Sequence, residues 1–234
     1  MNILAADTST NTLYLCLMTD KSKISLNLTG GLQHSENLVP KIIELTKDLN
    51  IELKDIDLLV CTKGPGSFTG LRIAMSALKG VSVASGAPLV AIETNKLLAY
   101  PVSYFDGTIL TSIDARKKRF YISLFKNNER LTKDLDINEK ETIELLKDEK
   151  KVLITGPDSK KFYDKLLKAE IGEKLPNLEI FVDESQYDLA YHLAVLGKLE
   201  YEKNGPAPLG FGPSYIRKSD AEIALDKKIK DHTN

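Results

Sequence analysis

Asp57-Leu58-Leu59-Val60-Cys61-Thr62-Lys63-Gly64-Pro65-Gly66-Ser67-Phe68-Thr69-Gly70-Leu71-Arg72 is the stretch that decides the fold. A short apolar run leads into a glycine-rich turn, and an apolar helical pattern then continues to about residue 85. The stretch therefore predicts a strand, a tight loop and the first turn of a helix. Such a junction directs unpaired backbone N–H groups and the positive end of the helix dipole at one spot, where an anion or a partner's backbone could lie.

The loop itself has a turn chemistry that can be read in detail. Gly64-Pro65-Gly66 fits a type II turn, in which proline sets φ and Gly66 supplies a positive φ. Ser67 or Thr69 can cap the helix. No Lys-Ser/Thr pair follows the glycines and position 69 is Thr, so neither a Walker A loop nor a dinucleotide fingerprint is present. Arg72 opposes the helix dipole in the first turn, which predicts a carboxylate or phosphate partner for it.

Alternating and helical hydrophobic patterns extend outward from this stretch in both directions. They predict, in the first half of the chain, strands at 2–7, 13–19, 23–28, 57–61 and 88–92 and helices at 35–49, 71–85 and 94–99. In the second half they predict strands at 108–114, 119–126, 152–155 and 178–182 and helices at 139–147, 158–168 and 188–201. No periodic repeat is visible, but the element order recurs. We therefore expect two related α/β lobes with a cleft between them, a first lobe at 1–103, a second at 104–218 and a polar tail at 219–234.

Two clusters of polar residues follow predicted strands. Asp7 ends the first strand and precedes three hydroxyl residues, an arrangement that suits phosphate or metal binding but also a simple turn closed by the aspartate side chain. Asp114 begins the basic cluster 114–119, which is either a solvated turn or a contact for RNA or an acidic partner. Both alternatives stay open for each cluster.

The helices at 35–49 and 71–85 are apolar over more of their circumference than packing on one sheet requires. Small residues dominate the second of them, which permits close approach of another helix. Deep burial between layers of the same chain and an exposed patch for another subunit explain this pattern equally well.

Composition excludes several function classes. The 32 Lys and Arg residues nearly cancel the 33 Asp and Glu residues, so the chain has no global basic field for nucleic acid. The absence of a long apolar run and of a signal-like start predicts a cytoplasmic protein with no membrane segment. Cys16 and Cys61 lie in apolar runs and are expected to be buried free thiols. The three histidines do not cluster, and no metal site or catalytic set is expected.

Five stretches resemble the bacterial TsaB (YeaZ) family in order and spacing. They are Ile3-Leu4-Ala5-Ala6-Asp7-Thr8-Ser9-Thr10, His34-Ser35-Glu36-Asn37-Leu38 with Pro40, Gly64-Pro65-Gly66-Ser67-Phe68-Thr69-Gly70-Leu71-Arg72, Ile113-Asp114-Ala115-Arg116 and Pro213-Ser214-Tyr215-Ile216-Arg217. The resemblance implies a two-lobed ASKHA (actin-like ATPase/RNase H-like) fold, with a mixed five-stranded sheet in the first lobe and a smaller related second lobe.

The resemblance also implies a function. It points to a non-catalytic scaffold subunit in the formation of threonylcarbamoyladenosine, next to the anticodon of tRNAs that read codons beginning with A. The expected partners are the catalytic paralogue TsaD, the ATPase TsaE, a second copy when the chain is alone, and tRNA indirectly through the complex. TsaD carries a histidine pair on the first helix for its metal, and here only His34 is present.

The resemblance extends to individual residues and to cofactors. Family members pair through the first two helices, which implies a partner-binding set of Leu38, Val39, Ile42, Ile43, Leu71, Arg72, Met75 and Leu78. The residues of a vestigial nucleotide or phosphate site would be Asp7, Thr8, Ser9, Gly64, Gly66, Ser67 and Asp114. No cofactor is expected to be required, with ATP or ADP bound at most weakly or at the complex interface. The alternative function is a stand-alone ASKHA-type ATPase or phosphotransferase that uses Asp7.

Overall fold

Two mixed β-sheets form the framework of the computed structural model, which describes residues 1–30, 33–208 and 210–217. The elements built on the first sheet are β1 (Ile3–Asp7), β2 (Thr12–Met18), β3 (Lys23–Thr29), α1 (His34–Asp48), β4 (Leu58–Gly64), α2 (Phe68–Ser85), β5 (Leu89–Glu93) and α3 (Thr94–Ala99). The later elements are β6 (Thr108–Asp114), β7 (Phe120–Lys126), β8 (Glu129–Arg130), β9 (Leu135–Ile137), α4 (Glu139–Leu145), β10 (Lys151–Thr155), α5 (Ser159–Lys168), α6 (Ile171–Lys174), β11 (Glu179–Val182) and α7 (Leu189–Asn204). Short 3₁₀ turns lie at Leu53–Asp55 and Tyr100–Val102.

The two sheets have the same connectivity. The first has the order β3-β2-β1-β4-β5, and the second has the order β11-β10-β6-β7-β8, with β9 also paired to β7. In the first sheet β1 pairs antiparallel with β2 and parallel with β4, and β4 pairs parallel with β5. In the second sheet β6 pairs antiparallel with β7 and parallel with β10, and β10 pairs parallel with β11. This duplication confirms the prediction of two related α/β lobes and of a mixed five-stranded first sheet.

Equivalent strands of the two sheets, β4 and β10, each lead into a Gly-Pro pair whose glycine has a positive φ. Gly64-Pro65 ends β4 and Gly156-Pro157 follows β10, and the two glycines have φ values of +112° and +109°. Glycine tolerates this region of φ without steric cost. Because Gly-Pro also occurs at Gly205-Pro206 and Gly212-Pro213, the dipeptide alone would not have revealed the repeat.

The first lobe is a three-layer sandwich. Alternate residues of β1 point to opposite faces, so that Leu4 and Ala6 join one core cluster with α1 and α2, while Ile3 and Ala5 join a second cluster with α3 and α7. Helix α7 therefore covers the first sheet, although it follows the second sheet in the chain. This differs from the sequence-based division, which assigned 104–218 as a whole to the second lobe, because a helical pattern does not identify the sheet that the helix covers.

Most helix and strand positions agree with the sequence-based expectations. The short strands β8 and β9 and the single-turn α6 were not predicted, since elements of four residues or fewer carry too little hydrophobic periodicity. Pro40 lies in the second turn of α1 rather than the first. The predicted polar tail at 219–234 lies outside the described residues.

Candidate functional site

The carboxylate of Asp7 lies at the carboxyl end of β1 and is almost entirely buried, with 1 % of its surface exposed. Oδ1 accepts hydrogen bonds from the Ser9 N–H, at 2.7 Å, and from the Thr62 hydroxyl, and Oδ2 accepts one from the Ser9 hydroxyl at 3.0 Å. Burial raises the pKa of Asp7 above its usual value of 3.8, although these donors and the nearby His34 oppose the rise. Asp7 therefore closes the turn after β1 with groups of its own chain.

The next two residues connect this turn to the start of α2. The Thr8 hydroxyl donates to the Gly70 carbonyl at 2.6 Å and accepts the Ala74 N–H at 3.1 Å, so it is inserted into the first turns of the helix. The Ser67 N–H, one of the first free donors of α2, binds the Ser9 carbonyl at 2.7 Å. One of the backbone donors at this helix start is thus bound by the chain's own carbonyl oxygen.

Two glycines make this approach possible. A Cβ atom on Gly66 would lie 2.5 Å from the Ser9 carbonyl oxygen, and one on Gly70 would lie 1.9 Å from the Thr8 carbonyl oxygen. Contacts this short are forbidden for any other residue. The glycines of this loop are therefore required by chain packing, and a phosphate ligand is not needed to explain them.

Three details of the loop differ from or extend the sequence-based expectations. The positive φ lies at Gly64 and not at Gly66, so the type II turn prediction is wrong, and the Gly64–Pro65 bond is cis. Ser67 is the N-cap of α2 and its hydroxyl accepts the Gly70 N–H at 3.2 Å. The helix begins at Phe68, three residues earlier than the hydrophobic pattern suggested.

Arg72 has an aromatic environment. Its guanidinium carbon lies 4.0 Å from the centre of the Phe68 ring, and its Nε donates to the Tyr215 hydroxyl at 2.8 Å. Phe68 and Tyr215 stack with their ring centres 4.3 Å apart. Among the described residues, Arg72 therefore contacts this aromatic pair and not the carboxylate or phosphate that the sequence predicted. The same contacts hold the C-terminal segment 210–217 against α2.

A cleft of about 1100 Å³ lies between the two lobes and next to this loop. The first lobe contributes the turn after β1 and the Gly66 loop, and the second contributes the turn after β6 and the start of α5. The C-terminal segment forms another part of the wall, held by the Ser214 N–H on the Lys63 carbonyl at 2.7 Å and by Arg217 Nη1 on the Ala115 carbonyl at 3.5 Å.

Asp114, at the end of β6, is the counterpart of Asp7 in the second lobe. Its Oδ1 accepts the Arg116 N–H at 2.8 Å, as Asp7 accepts the Ser9 N–H, and its Oδ2 accepts the Lys161 ammonium. Burial would raise the pKa of Asp114, but the hydrogen bonds and the Lys161 charge outweigh it, so the pKa lies below its usual value. Of the sequence-based set, Asp7, Ser9 and Ser67 are joined by hydrogen bonds and Gly66 packs against Ser9. Thr8 bonds to α2, Gly64 lies against Ser214 and Leu71, and Asp114 lies across the cleft in a charged cluster.

The residues predicted to bind a partner divide into two groups. Five are at most 3 % exposed, namely Leu38, Ile42, Leu71, Met75 and Leu78, and all of these except Leu71 belong to the core cluster that α1 and α2 form with the first sheet. A buried side chain cannot contact another subunit directly, so these five are corrected to core residues. Val39 and Ile43 on α1 are 50 % and 44 % exposed, and Arg72 is exposed on α2.

Both helices have an open side with exposed residues. Helices α1 and α2 pack on each other and on the same face of the sheet, so their exposed residues point away from it. We call this the α1/α2 face and define it as Val39, Ile43, Arg72, Ser76, Gly80 and Val83. Val83 is 89 % exposed, and no atom lies within 4 Å of the position that a Cβ on Gly80 would take, so a neighbouring helix could approach closely.

His34, Cys16 and Cys61 are explained by hydrogen bonding or burial within the chain. The His34 Nε2 lies 3.0 Å from the Thr10 carbonyl and must carry its proton, because a carbonyl only accepts. Cys16 and Cys61 are buried free thiols, as expected, and burial raises their pKa values to about 11 and about 12. Within 1–30, 33–208 and 210–217, no three His, Cys, Asp or Glu residues lie close enough to hold a metal ion, and no helix is long and apolar enough to cross a membrane.

Replacement of Asp7 by Asn is expected to alter how stability depends on pH. The folded chain holds the Asp7 proton more tightly than the unfolded chain, so its contribution is greatest below the usual value of 3.8 and is lost as pH rises through the raised pKa. The free energy of unfolding of the unmodified chain should therefore decline from about pH 4 to pH 7 relative to that of Asp7→Asn. Urea unfolding at several pH values measures this difference, and parallel curves for the two proteins would contradict it.

Comparison of this chain with known proteins identifies its relatives. The family model described as TsaD: tRNA N6-adenosine threonylcarbamoyltransferase matches residues 28–225. The tRNA threonylcarbamoyladenosine biosynthesis protein TsaB of Bacillus subtilis (strain 168) is 31% identical over 229 residues, which cover 95% of this chain and 96% of that protein. The Escherichia coli (strain K12) TsaB is 28% identical over 131 residues, covering 55% of this chain and 57% of that one.

Solved structures give the same fold. A Pseudomonas aeruginosa protein described as similar to peptidase YEAZ has a TM-score of 0.74 and 20% identity, and YeaZ from Pseudomonas aeruginosa has a TM-score of 0.71 and 19% identity. Each comparison covers 92% of this chain and 99% of the other. With the duplicated sheets, these neighbours confirm a fold of two related α/β lobes, shared with YeaZ.

Proposed function

This chain belongs to the TsaB (YeaZ) family, and we propose that it is a non-catalytic scaffold subunit of the complex that transfers a threonylcarbamoyl group to tRNA. The family has its role in tRNA threonylcarbamoyladenosine biosynthesis. Beyond that role, we propose that the target is the adenosine next to the anticodon of tRNAs that read codons beginning with A. The catalytic partner is the paralogue TsaD, and the ATPase TsaE completes the complex.

The observation that carries this proposal is the self-contained turn after β1. The Asp7 carboxylate accepts its three hydrogen bonds from Ser9 and Thr62, and the Ser67 N–H at the start of α2 is satisfied by the Ser9 carbonyl. A phosphoryl-transfer enzyme of this fold would need these groups to face its ligand. Here they face each other, which favours a scaffold over a stand-alone ATPase.

The α1/α2 face supports the second half of the proposal. It presents Val39, Ile43 and Val83 to solvent beside a stripe of small residues on α2. Exposed apolar side chains beside small residues permit the close helix packing of a stable interface. We propose that TsaD binds this face, and that a second copy of the chain occupies it when TsaD is absent.

Reconstitution with purified TsaD and TsaE tests the proposal. Threonylcarbamoyladenosine in tRNA, measured by mass spectrometry, should form with this chain present and fall to background without it. The chain alone should not hydrolyse ATP, and the purified TsaD–TsaE mixture is the matched control. Robust ATP hydrolysis by the chain alone that disappears in Asp7→Ala would contradict the scaffold role and support the ATPase alternative.

A further inference from the structure

The charge of the interlobe cleft is distributed unevenly. Its charged lining consists of four cationic and two anionic side chains, Arg116, Lys117, Lys161, Arg217, Asp114 and Asp158. All of them come from the second lobe or the C-terminal segment, whereas the first-lobe wall consists of neutral polar, apolar and glycine residues together with His34. The chain as a whole has a net charge of −1, so this local excess of cations is a property of the site.

The basic turn after β6 has an unusual backbone. Arg116, Lys117 and Lys118 follow one another in the left-handed region, with φ values of 61°, 52° and 63°. The turn is closed by the Arg119 N–H on the Arg116 carbonyl and by the Ala115 N–H on the Arg119 carbonyl, both at 3.0 Å. Left-handed φ is unfavourable for residues other than glycine, and asparagine tolerates it better. Three consecutive exposed cations in this unfavourable conformation indicate a role beyond turn formation, because backbone strain of this kind is concentrated at functional sites.

The turn after β6 differs from the turn after β1 in the partner of one backbone carbonyl. Ser9 and Arg116 both lie two residues after the aspartate that ends the first strand of their lobe. The Ser9 carbonyl accepts the Ser67 N–H at the start of α2, whereas the Arg116 carbonyl accepts the Arg119 N–H within its own turn. The second lobe contacts its neighbouring helix α5 through Asp114 at the base of the turn, which bonds to Asp158 and Lys161, and the tip of the turn places Arg116 and Lys117 at the cleft.

Not every cation of the 114–119 cluster is available for a ligand. Arg119 pairs with Asp136 at 2.9 Å and with Glu141 at 3.3 Å, and Lys161 pairs with Asp114. These pairs give Arg119 and Lys161 structural roles. Arg116 lines the cleft, and Lys118 lies two residues further along the same turn, outside the residues that line the cleft. Both are exposed, and neither side chain forms an ion pair with another residue of the described ranges.

Aromatic side chains line the same cleft. The stacked pair of Phe68 and Tyr215 lies at one side, and Tyr121 contributes a third ring. Tyr215 is 40 % exposed and so has ring surface free for a further stacking partner. Basic side chains that follow a phosphate backbone, combined with rings that stack on bases, are typical of proteins that bind single-stranded nucleic acid.

We propose that this cleft binds unpaired RNA directly, with the Arg116–Lys118 turn on the phosphates and Tyr215 against a base. The choice of RNA as the nucleic acid rests on the proposed function. In the proposed function RNA meets this chain only through the complex, and the inference adds a direct contact between RNA and this chain. An acidic protein surface would use the same cations and would leave the rings unused.

Fluorescence anisotropy of a labelled RNA hairpin with a single-stranded loop, titrated with the full chain, tests the inference. Arg116→Glu combined with Lys118→Glu should weaken binding about tenfold or more in low salt and lower the salt dependence of log K by about 1.4, since each lost phosphate contact on a single strand removes about 0.7. Tyr215→Ala should weaken binding about fivefold or more without changing the salt dependence.

A matched control carries the same charge change elsewhere. Lys126→Glu combined with Lys140→Glu alters two exposed lysines that lie outside both the cleft lining and the basic turn, and it should retain most of the binding. The pair Arg116→Asn with Lys118→Asn removes the charges with residues that tolerate left-handed φ, so a loss of binding there cannot come from misfolding of the turn.

Several results would overturn the inference. They are absence of binding in low salt, equal loss in the cleft and control variants, and competition by polyglutamate as effective as that by unlabelled RNA. Full competition by ATP at low concentration would assign the site to a free nucleotide instead of RNA. Co-purification with TsaD, measured on the same variants, reports separately on the proposed function and should be unchanged.

Discussion

Val39→Asp combined with Ile43→Asp is expected to abolish the proposed co-purification of the chain with TsaD and the proposed pairing of the chain with a second copy. Both side chains are about half exposed and lie on the α1/α2 face, so charge there costs the monomer little. Burying two unpaired carboxylates in an apolar interface should weaken association at least about 100-fold, or about 3 kcal/mol. Light scattering during gel filtration measures the change to a monomer, and pull-down with tagged TsaD measures the loss of co-purification.

The matched control for this experiment is Leu167→Asp. Leu167 is 50 % exposed, like Val39, but lies on α5 of the second lobe. It should leave pairing and the melting temperature unchanged. Normal pairing of the Val39 and Ile43 variant would remove the α1/α2 face as the interface. Substitution at Ile42 or Met75 would not be informative, because each is at most 3 % exposed and its replacement would damage the core.

The division of α1 and α2 into a buried and an exposed side marks one limit of sequence-based prediction. Both helices were located correctly, because apolar residues recur at helical spacing. Their apolar residues nevertheless extend around more than one side, and the pattern does not say which residues meet the sheet. Val39 and Ile42 look equivalent in sequence, yet one is 50 % and the other 2 % exposed.

The turn after β1 marks a second limit. Thr62, whose hydroxyl donates to Asp7, was missed, whereas Asp7, Ser9 and Gly66 were identified, since they stand out by type and position. Their role was open because the Ser9 carbonyl that satisfies the Ser67 N–H is a backbone group, and side-chain patterns carry no information about backbone groups. The packing of α7 on the first sheet was inaccessible for a related reason, since contacts distant in sequence decide it.

Gly70→Ala is expected to cause the largest loss of stability of any single methyl addition in this loop. The new Cβ would lie 1.9 Å from the Thr8 carbonyl oxygen, and that strand end cannot retreat without breaking the hydrogen bonds of the Thr8 hydroxyl to Gly70 and Ala74. We expect the free energy of unfolding to fall by about 3 kcal/mol or more, a large part of the total for a chain of this size. Urea unfolding followed by circular dichroism measures the loss.

Gly80→Ala is the control that separates steric conflict from helix propensity. Gly80 belongs to the same helix, is exposed, and has no atom within 4 Å of the position that the added methyl would take. Alanine there should raise the free energy of unfolding by about 0.5–1 kcal/mol, because it restricts the unfolded chain. Equal effects at the two positions would show that the contact between Thr8 and α2 does not hold the loop. Opposite signs would establish that the strand end packed against the glycine-rich loop maintains its shape, with no ligand required.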